Sequence, residues 1–249
     1  MCSADGAFIS VRNLSVDFQP VGVLDRVSFD VAQGELVCVV GPSGCGKSTL
    51  LNVLAGFQAP TAGSVRIGGA EVDGPDKSRI AVFQESAVFP WLTVEENVGF
   101  GLLGLSRGER RRRVAAGIER VGLGGFEHAY PPQLSGGMKQ RAEVARALAT
   151  QARVLFMDEP FGALDFLTRL KLRADLLDIW RAERQTIVFI THDVEEAVQL
   201  ADRVLVLSRR PAAVVAEVRI DLGRPRDLDA PAYLRARDRI LELLGVTRA

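Results

Sequence analysis

Between Gly41 and Thr49 the chain reads Gly-Pro-Ser-Gly-Cys-Gly-Lys-Ser-Thr. This satisfies G-x-x-x-x-G-K-[ST], and it lies between an apolar run at 36–40 and a helical pattern at 48–55. Strand, glycine loop and helix in that order predict a phosphate cradle at a helix N-terminus. Gly44 and Gly46 let successive backbone N–H groups turn inward toward phosphate oxygens. Lys47 adds a point charge for the β- and γ-phosphates, the Ser48 hydroxyl is a ligand for Mg²⁺, and Thr49 can bond the α-phosphate. Gly41, Pro42, Ser43 and Cys45 complete the loop, so the implied ligand is ATP with Mg²⁺.

A second group of reactive side chains closes the apolar run 154–157, where Asp158 and Glu159 are followed by Pro160. In an open α/β sheet, ligands collect beyond the carboxyl ends of the strands. Asp158 is placed to hold Mg²⁺, and Glu159 to polarise the water that attacks the γ-phosphate. Another apolar run, 186–190, ends in Thr191-His192-Asp193. His192, at a strand end, is expected to contact the γ-phosphate.

These residues need a scaffold that delivers strand ends to one edge. Continuous apolar runs at 36–40, 154–157 and 186–190, separated by helical patterns, argue for a mostly parallel sheet covered by helices. Short strands are expected at 8–11 and 27–31, broken at Gly22 and at Gln33-Gly34. Helices are expected at 106–121, where Val114, Ile118 and Val121 recur at helical spacing, and at 139–149. The stretch from about 86 to 150 reads as a helical subdomain inserted into the sheet domain. A strand at 214–220, a turn at Gly223-Arg-Pro-Arg226 and a helix at 232–244 close the chain.

Bulk properties remove several classes. The chain has 249 residues, with 31 Lys plus Arg against 31 Asp plus Glu, so its formal net charge is zero. Such a balance gives no global attraction to nucleic acid or anionic lipid. Cys2, Cys38 and Cys45 are too few and too scattered for a disulfide framework or a zinc site. No basic region followed by an apolar stretch opens the chain, so a cleaved secretory leader is not expected. All apolar runs fall far short of the roughly 20 residues that cross a bilayer. A membrane role must come through a partner.

Leu134-Ser-Gly-Gly-Met-Lys-Gln-Arg141 closely resembles the signature sequence of ABC ATPases. The order of motifs matches that family from about Phe8 to Ile220: the phosphate loop, Gln84, the signature, the acid pair, Gly162-Ala-Leu-Asp165 and His192. The resemblance implies an α/β P-loop NTPase core with an N-terminal antiparallel β region and an inserted helical subdomain. It places the ATP-binding domain at 8–222 and a helical tail at 223–249. It implies that Ser135, Gly136 and Gly137 cover the nucleotide bound by a second copy, in a head-to-tail dimer with two ATPs. Asp165 then lies at the dimer seam, Gln84 links the Mg²⁺ and γ-phosphate region to a permease, and Phe18 stacks on adenine, although a Phe in a short strand also suits a core.

Phe89-Pro-Trp-Leu-Thr-Val94, Glu96-Asn-Val98 and 161–169 are similar to the nitrate/sulfonate/taurine importer branch. Ser86 and Phe166 depart from it, where relatives often carry Pro and Ala. On this resemblance the Pro90-Trp91-Leu92 segment is a permease-facing surface, against the alternative of a buried aromatic corner. The implied partners are a second copy, transmembrane permease subunits and, indirectly, a solute-binding protein, with no nucleic acid. The implied location is the cytoplasmic face of the inner membrane. Alternatives are an importer of another branch (polyamine, sugar or metal), a non-transport ABC ATPase and a soluble P-loop kinase. The basic run 107–113 reads as a solvated helix face. Cys45, at an anion site, is a candidate for oxidation.

Overall fold

The computed structural model of the chain describes residues 7–246; Cys2, one of the scattered cysteines, lies outside them. In chain order the elements begin with β1 (Ala7–Phe18), β2 (Val21–Ala32), β3 (Leu36–Val40), α1 (Lys47–Ala55), β4 (Ala62–Ile67), β5 (Ala70–Glu71) and β6 (Arg79–Val82). Then come α2 (Val94–Val98), α3 (Arg107–Arg120), α4 (Gly136–Ala149), β7 (Val154–Asp158) and α5 (Phe166–Glu183). The chain closes with β8 (Thr186–Ile190), α6 (Val194–Leu200), β9 (Arg203–Leu207), β10 (Val214–Arg219) and α7 (Pro231–Leu243). Two compact units result, residues 80–185 and the remainder.

In the larger unit β1 and β2 form one long antiparallel hairpin, with β4 on the other side of β1 and β5 beyond it. The sequence suggested short broken strands here. Asn13 and Arg26 both take positive φ, 46° each, and the β1–β2 register shifts several times. The strands therefore continue through bulges that disturb their inside–outside alternation. Ser28 Oγ accepts from the Asn13 N–H and Ser15 Oγ from the Arg26 N–H, which keeps the bulged amides paired.

β3 sits between β8 and β9 and runs parallel to both, while β10 adds antiparallel to β9. Every residue of β3 and β8 is buried, the pattern of a sheet covered on both faces. The end of the unit is fastened by arginines. Arg224 donates to Leu200 O and Asp202 Oδ1, and Arg226 donates to Val198 O and Ile220 O. These guanidiniums satisfy carbonyls at the C-terminus of α6, where cations suit the helix dipole. Tyr233 of α7 is buried and donates its hydroxyl proton to Glu195 O.

The smaller unit carries β7 beside β6 and the helices α2 to α5. α3 begins at Ser106, whose oxygen accepts from the Glu109 N–H, and its apolar stripe buries Ile118 with Val121 following at the C-cap. The basic run on α3 is only partly a solvated face. Arg107, Arg111 and Arg112 are exposed, but Arg110 turns back to donate to Gly99 O at the end of α2. Among the described residues no helix is long and apolar enough to cross a membrane.

Candidate functional site

β3 delivers the phosphate loop to the start of α1. Gly46 takes φ 119° and Gly44 φ 72°, conformations that L side chains rarely adopt. A Cβ on Gly46 would stand 2.7 Å from Val23 Cγ1, so β2 packs directly against the loop. α1 has no side-chain cap, which leaves its first amides for an external anion. Lys47 is 7% exposed, and its Nζ donates to Gly41 O at 2.9 Å and to Pro42 O at 3.2 Å. Ser43, Gly44 and Ser48 face solvent, Thr49 is half-buried and Cys45 is buried. An uncapped helix start, exposed hydroxyls and a tethered ammonium fit a nucleoside triphosphate.

Phe18 ends β1 at the hairpin tip, opposite Val21, and is 54% exposed. That exposure removes the core alternative and leaves an aromatic face free for a base. His192 follows β8 and is exposed, flanked by a built turn. Thr191 Oγ1 donates to the buried Glu196 at 2.5 Å and accepts from the Asp193 N–H. Asp193 in turn caps α6, accepting from the Glu195 and Glu196 N–H groups.

In the smaller unit Asp158 is buried at the end of β7. Glu159, next in the chain, is half-buried with φ 46°, a left-handed conformation that costs a non-glycine residue about 1–2 kcal/mol. The turn is braced by Gln140 of α4, whose Nε2 donates to Glu159 O while its Oε1 accepts from the Ala163 N–H, both at 3.2 Å. Gly162 N–H also donates to Glu159 O. Strain held by such a frame is characteristic of functional residues.

Ser135 is the N-cap of α4, its oxygen accepting from the Met138 N–H, and Ser135 and Gly136 are exposed while Gly137 is half-buried. Asp165 caps α5 in the same way. Its hydrogen bonds from Thr168 hold the carboxyl below the usual aspartate range. The residues after it, Phe166 and Leu167, are exposed large hydrophobics.

Gln84 is exposed on the loop between β6 and α2. Past it, Trp91 is 70% exposed, and Phe89 lies 5.5 Å from its ring centroid and 4.5 Å from that of Phe100. This is an outward aromatic patch and not a buried corner. Asn97 holds the patch in place, accepting from Phe89 N–H and donating to the carbonyls of Phe89, Leu92 and Thr93. Sequence reasoning quoted Gln140 within the signature without giving it a role, and it missed Glu143 and Arg146, which follow on α4. Their only sequence signal is polarity at helix positions among alanines.

Comparison with known proteins gives the family. The ABC transporter family model matches residues 24–162. An ABC transporter ATP-binding protein of Methanocaldococcus jannaschii is 47% identical over 242 residues, covering 95% of this chain and 91% of its own. A nitrate import ATP-binding protein of Synechococcus elongatus is 44% identical over 234 residues, covering 90% and 85%. A taurine import ATP-binding protein of Yersinia pestis is 47% identical over 218 residues, covering 87% and 86%. A dimeric ATP-binding cassette solved in a post-hydrolysis state with ADP and Pi superposes with TM-score 0.78 at 29% identity, covering 86% of this chain and all of that one. The chain belongs to the ABC transporter family, as an ATP-binding protein of the branch that includes nitrate and taurine importers.

Proposed function

We propose that the chain works as a pair of identical Mg²⁺-dependent ATPases on transmembrane permease subunits, driving uptake of nitrate, a sulfonate, taurine or a related small solute. The observation that supports the nucleotide-binding part of the reading is the uncapped start of α1 with Lys47 tethered across the phosphate loop, and the likeness to nitrate and taurine import ATP-binding proteins supports the importer part. Within it, Lys47 holds the β- and γ-phosphates, Phe18 stacks on adenine, and Ser135, Gly136 and Gly137 cover the ATP of the second copy. Glu159 accepts the proton of the attacking water, His192 steadies the γ-phosphate, and Asp165 with its exposed neighbours lies at the seam between copies. Ser48, Gln84 and Asp158 hold Mg²⁺, which when bound neutralises charge on the phosphate oxygens. Oxygen donors of this kind suit Mg²⁺. The ATP-binding domain spans 8–222 with a helical subdomain at about 86–150, and 223–249 form a tail. The subunit sits at the cytoplasmic face of the inner membrane.

The test is growth of a deletion strain on single sulfur and nitrogen sources, with wild type or Glu159→Gln returned to it. Loss of growth on sulfonates, taurine or nitrate, restored by wild type alone, is the expected result. Normal growth across the panel, with redundant uptake excluded, would refute the solute class and leave the ATPase standing.

A further inference from the structure

The loop carrying Gln84 is held by a helix that serves another purpose. Phe83 N–H donates to Glu143 Oε1 at 3.3 Å and Ala87 N–H to Glu143 Oε2 at 2.8 Å, so one carboxylate bonds the backbone on both sides of Gln84. The Ser86 side chain bonds the same carboxylate. Glu143 is 1% exposed and sits in the middle of α4 among Ala142, Val144 and Ala145. One turn further, Arg146 lies 3.8 Å from Glu143, donates to Ala87 O at 3.0 Å and covers the Phe89 ring at 5.1 Å from its centroid.

A carboxylate in such a place is costly unless its oxygens are used, and an apolar side chain would pack there at lower cost. Burial pushes the Glu143 carboxyl up and the Arg146 guanidinium down, so neither charge is placed for its own comfort. What the pair accomplishes is attachment: residues 83–89 contain no helix or strand, and α4 supplies their anchor. The same helix starts with Ser135, Gly136 and Gly137, about 10 Å up its axis at 1.5 Å per residue.

We infer that Glu143 and Arg146 are positioning residues that clamp the Gln84 loop to the signature helix, so that Gln84 and the Ser135–Gly137 end move as one body. The inference rests on the proposed role of Gln84 toward Mg²⁺ and the γ-phosphate. A loosened clamp leaves the phosphate loop untouched. Nucleotide then binds as before, while hydrolysis slows and needs more Mg²⁺.

The experiment uses the purified full chain as wild type, Glu143→Gln, Arg146→Lys, Gln84→Ala and the Gln84→Ala/Glu143→Gln double variant. Each is melted to check folding, titrated with MgADP and assayed for ATP hydrolysis across Mg²⁺ concentrations. Glu143→Gln is expected to keep MgADP affinity within about twofold and to lose about tenfold in kcat. Its half-maximal Mg²⁺ concentration should rise several-fold, as for Gln84→Ala. The double variant should be no worse than Gln84→Ala, because both changes disable one device. Arg146→Lys keeps the charge but lacks the guanidinium fork, and gives an intermediate loss should Glu143→Gln fail to fold. Folded single variants with wild-type kcat and Mg²⁺ demand, or losses that multiply in the double variant, would overturn the clamp. If Gln84→Ala itself behaves as wild type, the proposed role of Gln84 falls and the clamp with it. If only Gln84→Ala is impaired, the clamp alone falls.

Discussion

Two glycines with nearly the same φ separate conformational strain from collision. Gly56 has φ 86° and Gly69 φ 84°, and each is to be replaced by alanine. The left-handed conformation costs either alanine about 1–2 kcal/mol, and the reduced freedom of the unfolded chain on replacing glycine applies to both sites alike. The space around them differs. A Cβ at 56 would lie 2.2 Å from Gly74 O and 2.4 Å from Gly74 C, whereas one at 69 meets nothing within 4 Å. Backbone atoms cannot swing aside as a side-chain tip does, so overpacking adds about 1–3 kcal/mol at 56 alone. Gly69→Ala should therefore lose about 1–2 kcal/mol and Gly56→Ala about 2–5 kcal/mol. Urea unfolding followed by circular dichroism, with the slope checked for constancy, reads both numbers. Gly56 closes α1 at the end opposite Lys47, so MgADP at 100 times its dissociation constant should return about 2.7 kcal/mol to each variant. Equal losses in the two variants would refute the reasoning, since the turn at Gly74 would then be yielding without cost.

Three further outcomes are expected. Thr93→Ala breaks the capping box at the start of α2, where Thr93 and Glu96 satisfy each other's amides; it should cost about 1 kcal/mol in urea unfolding. Trp91→Ala should leave unfolding free energy within about 0.5 kcal/mol, because the ring is exposed. Solute-dependent growth should nevertheless fall, and an unchanged growth rate would remove the patch from the permease surface. Cys38 is buried in β3, and burial raises its thiol well above the ordinary range. Iodoacetamide at pH 8.5 should label its peptide only after urea is added, as read by mass spectrometry.

The chemistry was more legible than the scaffold. The phosphate loop, the acid pair and the signature are contiguous stretches whose spacing follows from what phosphate and water require. β3, β7 and β8 are buried on both faces, so their apolar runs are unbroken and their limits stand out. β1 and β2 were harder, because the residues at Asn13 and Arg26 shift the alternation that marks a half-buried strand. Phe18 could not be assigned to core or surface from its type, and only its exposure at the hairpin tip decides between them. Glu143 and Arg146 were invisible for a different reason. Their partners are backbone groups some 56 to 60 residues away, and amides carry no sequence signal.

The open start of α1 bears on how long the molecule survives in a cell. A helix that supplies no side-chain cap of its own leaves its first amides to solvent or to a bound anion. Proteases sample the fraction of molecules that has opened, and bound nucleotide shrinks that fraction by mass action. Starvation that drains the nucleotide pool would then shorten the lifetime of the subunit as well as idle it. Because ADP protects the fold as ATP does, abundance would follow the total nucleotide pool and not its energy charge.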